Sequence, residues 1–254
     1  MAPLRIYLAG NVALEQGEVL MPERVLPGRQ GRLALALLVT ERGTAVSVEE
    51  IADVLWNGAP PPSWGTALRA IMSKLRSLMA EYGFSDSVAI ENAFGCYQLR
   101  LPSNTWVDLE VAAKAVHDAE AELRAGNLAA ANGNALVAAA ISRRPFMTGD
   151  DGRWVVQKRR WLRAIRVRAL SCRAEVAIAH GDPALAVEDA ELLIDLEPFY
   201  EAAYVLLMRA HDKGGNRAQA LQTYDRLRTL LDDQLGASPS PSSEAVYLEI
   251  LRTR

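Results

Sequence analysis

Apolar residues recur at helical spacing between Ser47 and Ala80 and predict two helices separated by a proline-rich loop. The first, S-V-E-E-I-A-D-V-L-W, opens with Ser47 and Glu50 in the order of a capping box, which is typical of a helix N-terminus. The second, W-G-T-A-L-R-A-I-M-S-K-L-R-S-L-M-A, has an apolar side that would face a core. This apolar side consists of Leu68, Ile71, Met72, Leu75, Leu78 and Met79.

The opposite side of this second helix is cationic. Three cations and no Asp or Glu occur between Ser63 and Ala80, whereas an exposed helix face normally mixes both signs. Arginine can bond guanine edges with two hydrogen bonds, while lysine and serine mostly hold phosphates. Taken alone, the pattern favours an ordinary solvated amphipathic helix. The positions on or beside the cationic side are Thr66, Arg69, Ala70, Ser73, Lys74 and Arg76.

The elements around this helix favour a DNA-reading unit. The segments V-A-I-E-N and G-C-Y-Q-L, which follow the helix, predict a hairpin. Helix, loop, helix and hairpin is the arrangement with which a winged-helix protein places one helix in the major groove and a ribbon beside it. We therefore predict a winged helix.

The chain divides near residue 104. Residues 1–30 contain short apolar runs separated by Gly, Asn and Pro, which is typical of strands and turns, and residues 29–42 predict a helix ended by Gly43. After L-P-S-N-T, the segment V-D-L-E opens a run of helices. We predict an α+β winged-helix domain over residues 1–104 and an all-α domain over residues 105–254.

The predicted all-α domain contains an internal repeat of 34 residues. Gly181, Ala186, Ala190 and Leu193 recur as Gly215, Ala220, Tyr224 and Leu227, and Leu170 recurs as Tyr204. This period is that of tetratricopeptide helix pairs, which bind partners far more often than they catalyse. A third set, Gly126, Ala131 and Ala135, fits the pattern out of register.

Composition narrows the class of protein. The formal net charge is −3, so any contact with DNA must come from a local patch. The two cysteines, Cys96 and Cys172, form no paired framework and predict reduced thiols. The chain contains no signal-like start and no run of 18 apolar residues, so we expect a cytoplasmic protein without a membrane span.

Several segments together resemble the actinomycete antibiotic regulatory protein family, often abbreviated SARP, over nearly the full length. The helix R-Q-G-R-L-A-L-A-L-L, the loop V-L-W-N-G-A-P-P-P and the helix T-A-L-R-A-I-M-S-K-L-R are similar to that family's OmpR-type winged helix. The opening V-D-L-E, the segment G-G-N-R-A-Q-A-L-Q-T-Y-D-R-L-R and the ending L-G-A-S-P-S-P resemble its bacterial transcriptional activation domain.

The resemblance implies a transcriptional activator of an antibiotic gene cluster. Such a protein binds direct repeats of double-stranded DNA near the −35 region, recruits RNA polymerase holoenzyme and can act as a homodimer on DNA. It implies DNA contacts at Arg69, Ala70, Ser73, Lys74 and Arg76, which the helical pattern selects independently. It also places Arg29 and Gln30 near phosphates. The segment implied to touch polymerase consists of Asn57, Gly58, Pro60, Pro61, Pro62 and Ser63.

Two segments depart from the family pattern. The hairpin has A-F-G-C-Y-Q, with Cys96 before Tyr97, and contains no cation from Val88 to Gln98. The expected Trp-Arg-Gly-Pro motif of the activation domain is replaced by I-S-R-R-P-F-M-T-G. The cation-free hairpin supports an alternative function, in which the winged helix no longer binds DNA and the chain is a helical-repeat interaction protein.

Neither catalysis nor a bound group is predicted. The three histidines lie in separate helices without ligand-like spacing, and the chain contains no phosphate-binding G-x-x-x-x-G-K-[ST] motif. We therefore expect no enzyme, no metal and no cofactor. The stretch from Arg143 to Arg173 has a net charge of +8, from 10 cations and 2 acids. Its arginines could pair with acids of neighbouring helices or could form an auxiliary surface for DNA or an acidic partner.

Overall fold

The structure, a computed structural model, describes residues 2–252. The chain forms two compact units, one of residues 1–111 and 144–162, the other of residues 112–143 and 163–254. The segment 144–162 thus packs with the N-terminal unit, although it follows two helices of the chain. The domain boundary near residue 104 stays a prediction.

The described residues of the N-terminal unit form two small sheets, three complete α-helices, a short 3-10 helix at Glu23–Val25 and the starts of two further helices. The strands are β1 Arg5–Tyr7, β2 Ala13–Gln16, β3 Val19–Pro22, β4 Val46–Ser47, β5 Ala89–Ala93, β6 Cys96–Arg100 and β7 Trp106–Val107. One sheet has the order β3-β2-β1-β7 and the other β4-β6-β5. The helices are α1 Gly28–Thr40, α2 Val48–Trp56 and α3 Trp64–Glu81. This is the winged helix that the pattern predicts, with β5 and β6 as the wing.

Local chemistry sets where α2 and α3 begin. The Ser47 hydroxyl accepts a hydrogen bond from the Glu50 backbone N–H, and the Glu50 carboxylate accepts one from the Ser47 N–H, which confirms the capping box. The Ser47 N–H and the Ser47 hydroxyl both donate to the Glu50 carboxylate, and these two bonds hold the pKa of Glu50 below its ordinary value. At the start of α3, Ser63 makes no side-chain cap bond, and its backbone carbonyl accepts bonds from the N–H groups of Thr66 and Ala67 instead.

A buried aspartate joins the first strand to the fourth helix. Asp108, which is fully buried at the start of α4, accepts hydrogen bonds from the backbone N–H groups of Leu8, Ala9 and Leu109. Burial raises the pKa of Asp108 even though these bonds and the charge of Arg144 favour its ionised form. The Asp108 carboxylate thus satisfies three backbone N–H groups that would otherwise be buried without partners. The V-D-L-E segment therefore has a structural role.

The second unit is made of helices alone among its described residues. The helices of the C-terminal half are α4 Asp108–Arg124, α5 Leu128–Ser142, α6 Arg153–His180, α7 Pro183–Leu196, α8 Glu201–Lys213, α9 Arg217–Leu235 and α10 Pro241–Arg252. Gly181 and Gly215 each follow the end of a helix with φ of +75° and +77°, a conformation that glycine adopts without steric cost. The predicted repeat is thus confirmed as the helix pairs α6–α7 and α8–α9.

Small residues at equivalent positions let the paired helices pack closely. Ala186, Ala190 and Ala220 are fully buried, as are Leu193 and Leu227. The α4–α5 pair has the same internal spacing, since Gly126, with φ of +78°, precedes Ala131 and Ala135 by the same intervals. The helical part is therefore tetratricopeptide-like. Among residues 2–252, no helix is both long enough and apolar enough to span a membrane.

Candidate nucleic-acid interface

Helix α3 has one buried face and one exposed face. Leu68, Met72 and Leu75 are almost completely buried, and Ile71 and Met79 are buried beside them. Leu78, which was predicted in the same set, is only partly buried. The predicted DNA-facing positions are all exposed, and they are Thr66, Arg69, Ala70, Ser73, Lys74 and Arg76.

Two cations on this exposed face have no carboxylate partner among the residues that the structure describes. The Arg69 guanidinium donates to the Thr66 hydroxyl one turn earlier, at 3.2 Å, and Lys74 makes no ion pair. The Thr66 hydroxyl is uncharged, so its contact does not neutralise the charge of Arg69. The exposed face of α3 therefore stays positively charged at these two positions.

The third cation, Arg76, is held against the wing. Its Nε donates to the Ile90 carbonyl of β5 at 2.9 Å, and its guanidinium lies 5.7 Å from the ring centroid of Tyr97 in β6. A cation over an aromatic ring is attracted by the negative face of the ring. Arg76 is thus placed to fix the wing relative to α3, a contact that the helical pattern did not predict.

The wing is a tight hairpin with a two-residue turn. Ala93 pairs with Cys96, so Phe94 and Gly95 form the turn, with φ of +51° and +75°. The nearest charges on the two strands, Glu91 and Arg100, pair with each other at 3.0 Å. The tip of the wing is therefore uncharged.

The first predicted phosphate contact has an internal partner. The Arg29 side chain, at the start of α1, donates two hydrogen bonds to the Asp150 carboxylate, at 2.7 and 2.9 Å. Burial alone would raise the pKa of Asp150, but the Arg29 guanidinium holds it below its ordinary value. Gln30 follows on the helix and is partly buried. Arg29 is thus engaged in a structural ion pair in this structure, and its role toward phosphate stays a prediction.

The loop between α2 and α3 is exposed at most positions and anchored at one end. Asn57, with φ of +51°, ends α2, and its side-chain oxygen accepts a hydrogen bond from the Arg153 N–H at the first turn of α6. A side-chain oxygen that satisfies a free N–H of a helix start is a cap. Beyond this anchor, the exposed loop positions are Gly58, Pro60, Pro62 and Ser63, and Pro61 is partly buried.

Half of the cations between Arg143 and Arg173 pair with acids. Arg168 donates two hydrogen bonds of 2.6 Å to Glu120, Arg163 lies 2.8 Å from Glu197, and Arg173 lies 3.3 Å from Asp189. Nearer the start of α6, Lys158 pairs with Glu41 and Arg159 with Asp151. These five cations pair with acids of the same chain, which is the first of the two interpretations given above for this stretch.

A winged helix followed by tetratricopeptide-like helices defines a class of transcriptional regulator. The family model of the bacterial transcriptional activator domain matches residues 107–251. The chain belongs to this family, and the predicted membership of the antibiotic regulatory proteins is confirmed.

Similar proteins support the same assignment. The chain is 30% identical to transcriptional regulatory protein EmbR of Mycobacterium tuberculosis over 226 residues, which is 87% of this chain and 57% of EmbR. It is 29% identical to regulatory protein AfsR of Streptomyces coelicolor, over 88% of this chain and 22% of AfsR. The chain thus spans little more than half of one relative and less than a quarter of the other.

A solved structure extends the similarity to the fold. Mycobacterium tuberculosis EmbR, in complex with a low-affinity phosphopeptide, superposes with a TM-score of 0.87 at 27% identity. The match covers 99% of this chain and 66% of that chain. The winged helix and the helical repeats therefore occur together in a related regulator.

Proposed function

We propose that this protein is a cytoplasmic, sequence-specific activator that binds direct repeats near the −35 region of an antibiotic gene cluster and recruits RNA polymerase holoenzyme. The observation that supports DNA binding is the exposed face of α3, where Arg69 and Lys74 have no carboxylate partner among the described residues. Family membership supports the regulatory role. Pairing of protomers on adjacent repeats is part of the proposal.

Arg69 and Lys74 are proposed to have different roles in DNA binding. Arg69 lies in the first half of α3, where a recognition helix approaches base edges, and its planar guanidinium can bond a guanine with two hydrogen bonds. Lys74 is a compact charge without a fixed direction, which suits a phosphate. Arg69 therefore contributes sequence preference, and Lys74 contributes affinity for any sequence.

The test of DNA binding uses duplexes that the full chain selects from a random library. Arg69→Ala is expected to weaken binding by about 1–3 kcal/mol and to relax preference at one position of the selected site. Arg69→Lys is the matched control, because it keeps the charge and loses the fork of donors. It is expected to lose the preference while retaining part of the affinity. Unchanged affinity in both Arg69→Ala and Lys74→Ala, with folding intact, would contradict the proposal.

Recruitment of polymerase is assigned to the loop from Asn57 to Ser63, which contains Pro60, Pro61 and Pro62. Three consecutive prolines fix φ near −65° and stiffen the loop, so that little entropy is lost when a partner binds it. Replacing them with Gly-Ser-Gly, with Asn57 retained because it caps α6, should leave DNA affinity nearly intact and lower transcription by purified holoenzyme. If transcription falls only as much as DNA binding does, the loop merely separates α2 from α3 and does not contact polymerase.

A further inference from the structure

A cavity of about 690 Å³ lies between strands β2 and β3 and the start of α1. Its volume is within the range of small-molecule sites, roughly 300–1,000 Å³. The lining combines two kinds of surface, as such sites do. The apolar part consists of Ala13, Leu20, Pro22 and Leu26, and the cationic part consists of Arg24, Arg29 and Arg32.

The charges of two of these arginines are offset within the fold. Arg29 donates to the Asp150 carboxylate, and Arg32 donates to one oxygen of Glu23 at 2.8 Å. The other oxygen of Glu23, the acid in this lining, accepts a hydrogen bond from the Val12 N–H at 2.7 Å. Glu23 is therefore held by internal contacts and leaves the charge of Arg24 uncompensated.

Two donors in the lining have no partner among residues 2–252. Arg24 is exposed, and its guanidinium forms neither an ion pair nor a hydrogen bond there. The Nε of Arg32 is buried and makes no hydrogen bond. A buried donor without a partner costs free energy that an acceptor in the cavity would recover. One uncompensated cation and one unsatisfied buried donor together favour a ligand with a single negative charge.

The apolar part of the lining favours an organic ligand over an inorganic ion. Leu20 is 54% exposed, although it is a large aliphatic residue on a strand, and Leu26 lies in the same lining. An inorganic anion bound to Arg24 would leave the Leu20 side chain in water. A ligand with an apolar body would cover that side chain, which is favourable because apolar surface is removed from water.

We propose that this cavity binds a small organic acid, an aromatic or aliphatic molecule with one carboxylate. The Arg24 guanidinium binds the carboxylate with two parallel hydrogen bonds, and the Arg32 Nε donates a further one. The apolar body of the ligand packs against Leu20 and Leu26. This binding goes beyond the proposed function and does not require DNA.

The first test compares three probes on the full chain. Anilinonaphthalene sulfonate joins one negative charge to an apolar body, phenylnaphthylamine has the same body without the charge, and inorganic sulfate has charge without the body. Fluorescence measures the two aromatic probes, and calorimetry measures sulfate. The sulfonate probe should bind one molecule per chain, about tenfold or more tighter than either of the other two, because it alone contacts both parts of the lining.

The second test removes the uncompensated cation. Arg24→Ala should weaken binding of anilinonaphthalene sulfonate about tenfold, since a hydrogen bond to a charged group is lost, and should leave binding of phenylnaphthylamine unchanged. Arg160→Ala is the matched control, because Arg160 is an exposed arginine of α6 outside the lining and its removal changes the net charge equally. This control should bind the sulfonate probe as the wild type does.

The third test removes the apolar contact. Leu20→Thr should weaken binding of both aromatic probes about fivefold, because apolar surface of the lining is lost. Val19→Thr is the matched control, since Val19 precedes Leu20 on β3, is 42% exposed and points to the opposite face of the strand. Threonine suits a strand, so both variants should fold, which thermal unfolding checks. Val19→Thr should leave binding of the probes unchanged.

Several outcomes would overturn the inference, and they differ from failure of the proposed function. Sulfate binding as tightly as anilinonaphthalene sulfonate, or equal effects of Arg24→Ala and Arg160→Ala, would mean that the cavity selects no organic acid. If Arg24→Ala lowers the slope of log K against log salt for the selected duplex by about one unit, Arg24 contacts a DNA phosphate and the inference is wrong. If the probes bind as expected and the wild-type chain binds no DNA, the proposed function fails and this inference stands.

Discussion

Helix α3 and the stretch from Arg143 to Arg173 are both cationic, but their charges are used differently. The stretch has the larger net charge, +8, yet five of its ten cations pair with carboxylates, and one of them, Arg168, donates two hydrogen bonds to Glu120. Helix α3 has three cations between Ser63 and Ala80, and none of them pairs with a carboxylate among the described residues. The count of charges therefore does not decide between the two surfaces, and the proposal for α3 rests on a run from Ser63 to Ala80 that contains three cations and no acid.

The ion pairs also explain how a chain with a net charge of −3 can have cations without partners on α3. Acids from distant segments, such as Glu120 and Glu197, neutralise arginines of α6 within the helical unit. The wing neutralises its own charges through Glu91 and Arg100. Helix α3 contains no acid from Ser63 to Ala80, and none of its three cations forms an ion pair with a described residue.

The largest effect is expected where a buried acid holds a cation of α1. Asp150→Ala removes the partner of Arg29 and an acceptor for the Gly152 N–H, and the free energy of unfolding should fall by about 2–3 kcal/mol at pH 7. Because the pKa of Asp150 is held below its ordinary value, this contribution should persist at neutral pH and be lost as the pH falls through that lowered pKa. Urea unfolding at several pH values measures both effects.

The neighbouring Asp151 provides a matched control for Asp150. Its carboxylate is almost fully exposed in its pair with Arg159, so Asp151→Ala should leave the free energy of unfolding nearly unchanged. Equal effects of the two substitutions would show that burial of the Arg29 pair contributes nothing.

An opposite pH dependence is expected at Asp189. Burial raises the pKa of Asp189 to about 6, even though the Arg173 guanidinium lies 3.3 Å away. A folded-state pKa above the unfolded value means that ionising Asp189 costs stability above about pH 6, and this cost disappears as the pH falls toward the unfolded pKa. Between pH 7 and pH 4.5, the wild type should gain about 2 kcal/mol relative to Asp189→Asn. A constant difference between the two proteins across this range would contradict the assignment.

The smallest effect is expected at the pair of Arg168 and Glu120. The Arg168 side chain is 44% exposed, and an exposed pair contributes about 0.2–1 kcal/mol, so each single alanine variant should lower the free energy of unfolding only slightly. A double-mutant cycle isolates the coupling, which should lie near the upper end of that range because two hydrogen bonds are made. A coupling energy of zero would mean that Glu120 does not hold Arg168, and it would contradict the contrast between the paired cations of α6 and the unpaired cations of α3.

Local patterns predicted the elements and the faces of α3, because apolar spacing and capping act within a few residues of the chain. Ser47 with Glu50, and the repeat of Gly181 as Gly215, are examples. The contacts that decide which cations are free join positions far apart in sequence. Arg29 and Asp150 are separated by 121 residues, and Glu120 and Arg168 by 48, so periodicity gives no signal for either pair.

Arg76 and Phe94 show two other limits of prediction from the sequence. The helical pattern placed Arg76 on the exposed face, which is correct, but the position of the wing determines that its Nε binds the Ile90 carbonyl. The pattern A-F-G-C-Y-Q indicated a hairpin without cations, but only the paired strands show that Phe94 occupies the strained turn position. A bulky residue immediately before Gly in a predicted two-residue turn was the available signal.

The salt dependence of DNA binding tests the contrast between the two surfaces most directly. The measurement compares two double variants on the same selected duplex, with folding checked for each protein. The α3 variant carries Arg69→Ala and Lys74→Ala, and the α6 variant carries Arg163→Ala and Arg168→Ala. The α3 variant should lose about one unit of slope in log K against log salt, since Lys74 is proposed to contact a phosphate and Arg69 a base edge. The α6 variant should keep the wild-type slope. Equal losses in both variants, or a loss in the α6 variant alone, would contradict the assignment of DNA binding to α3.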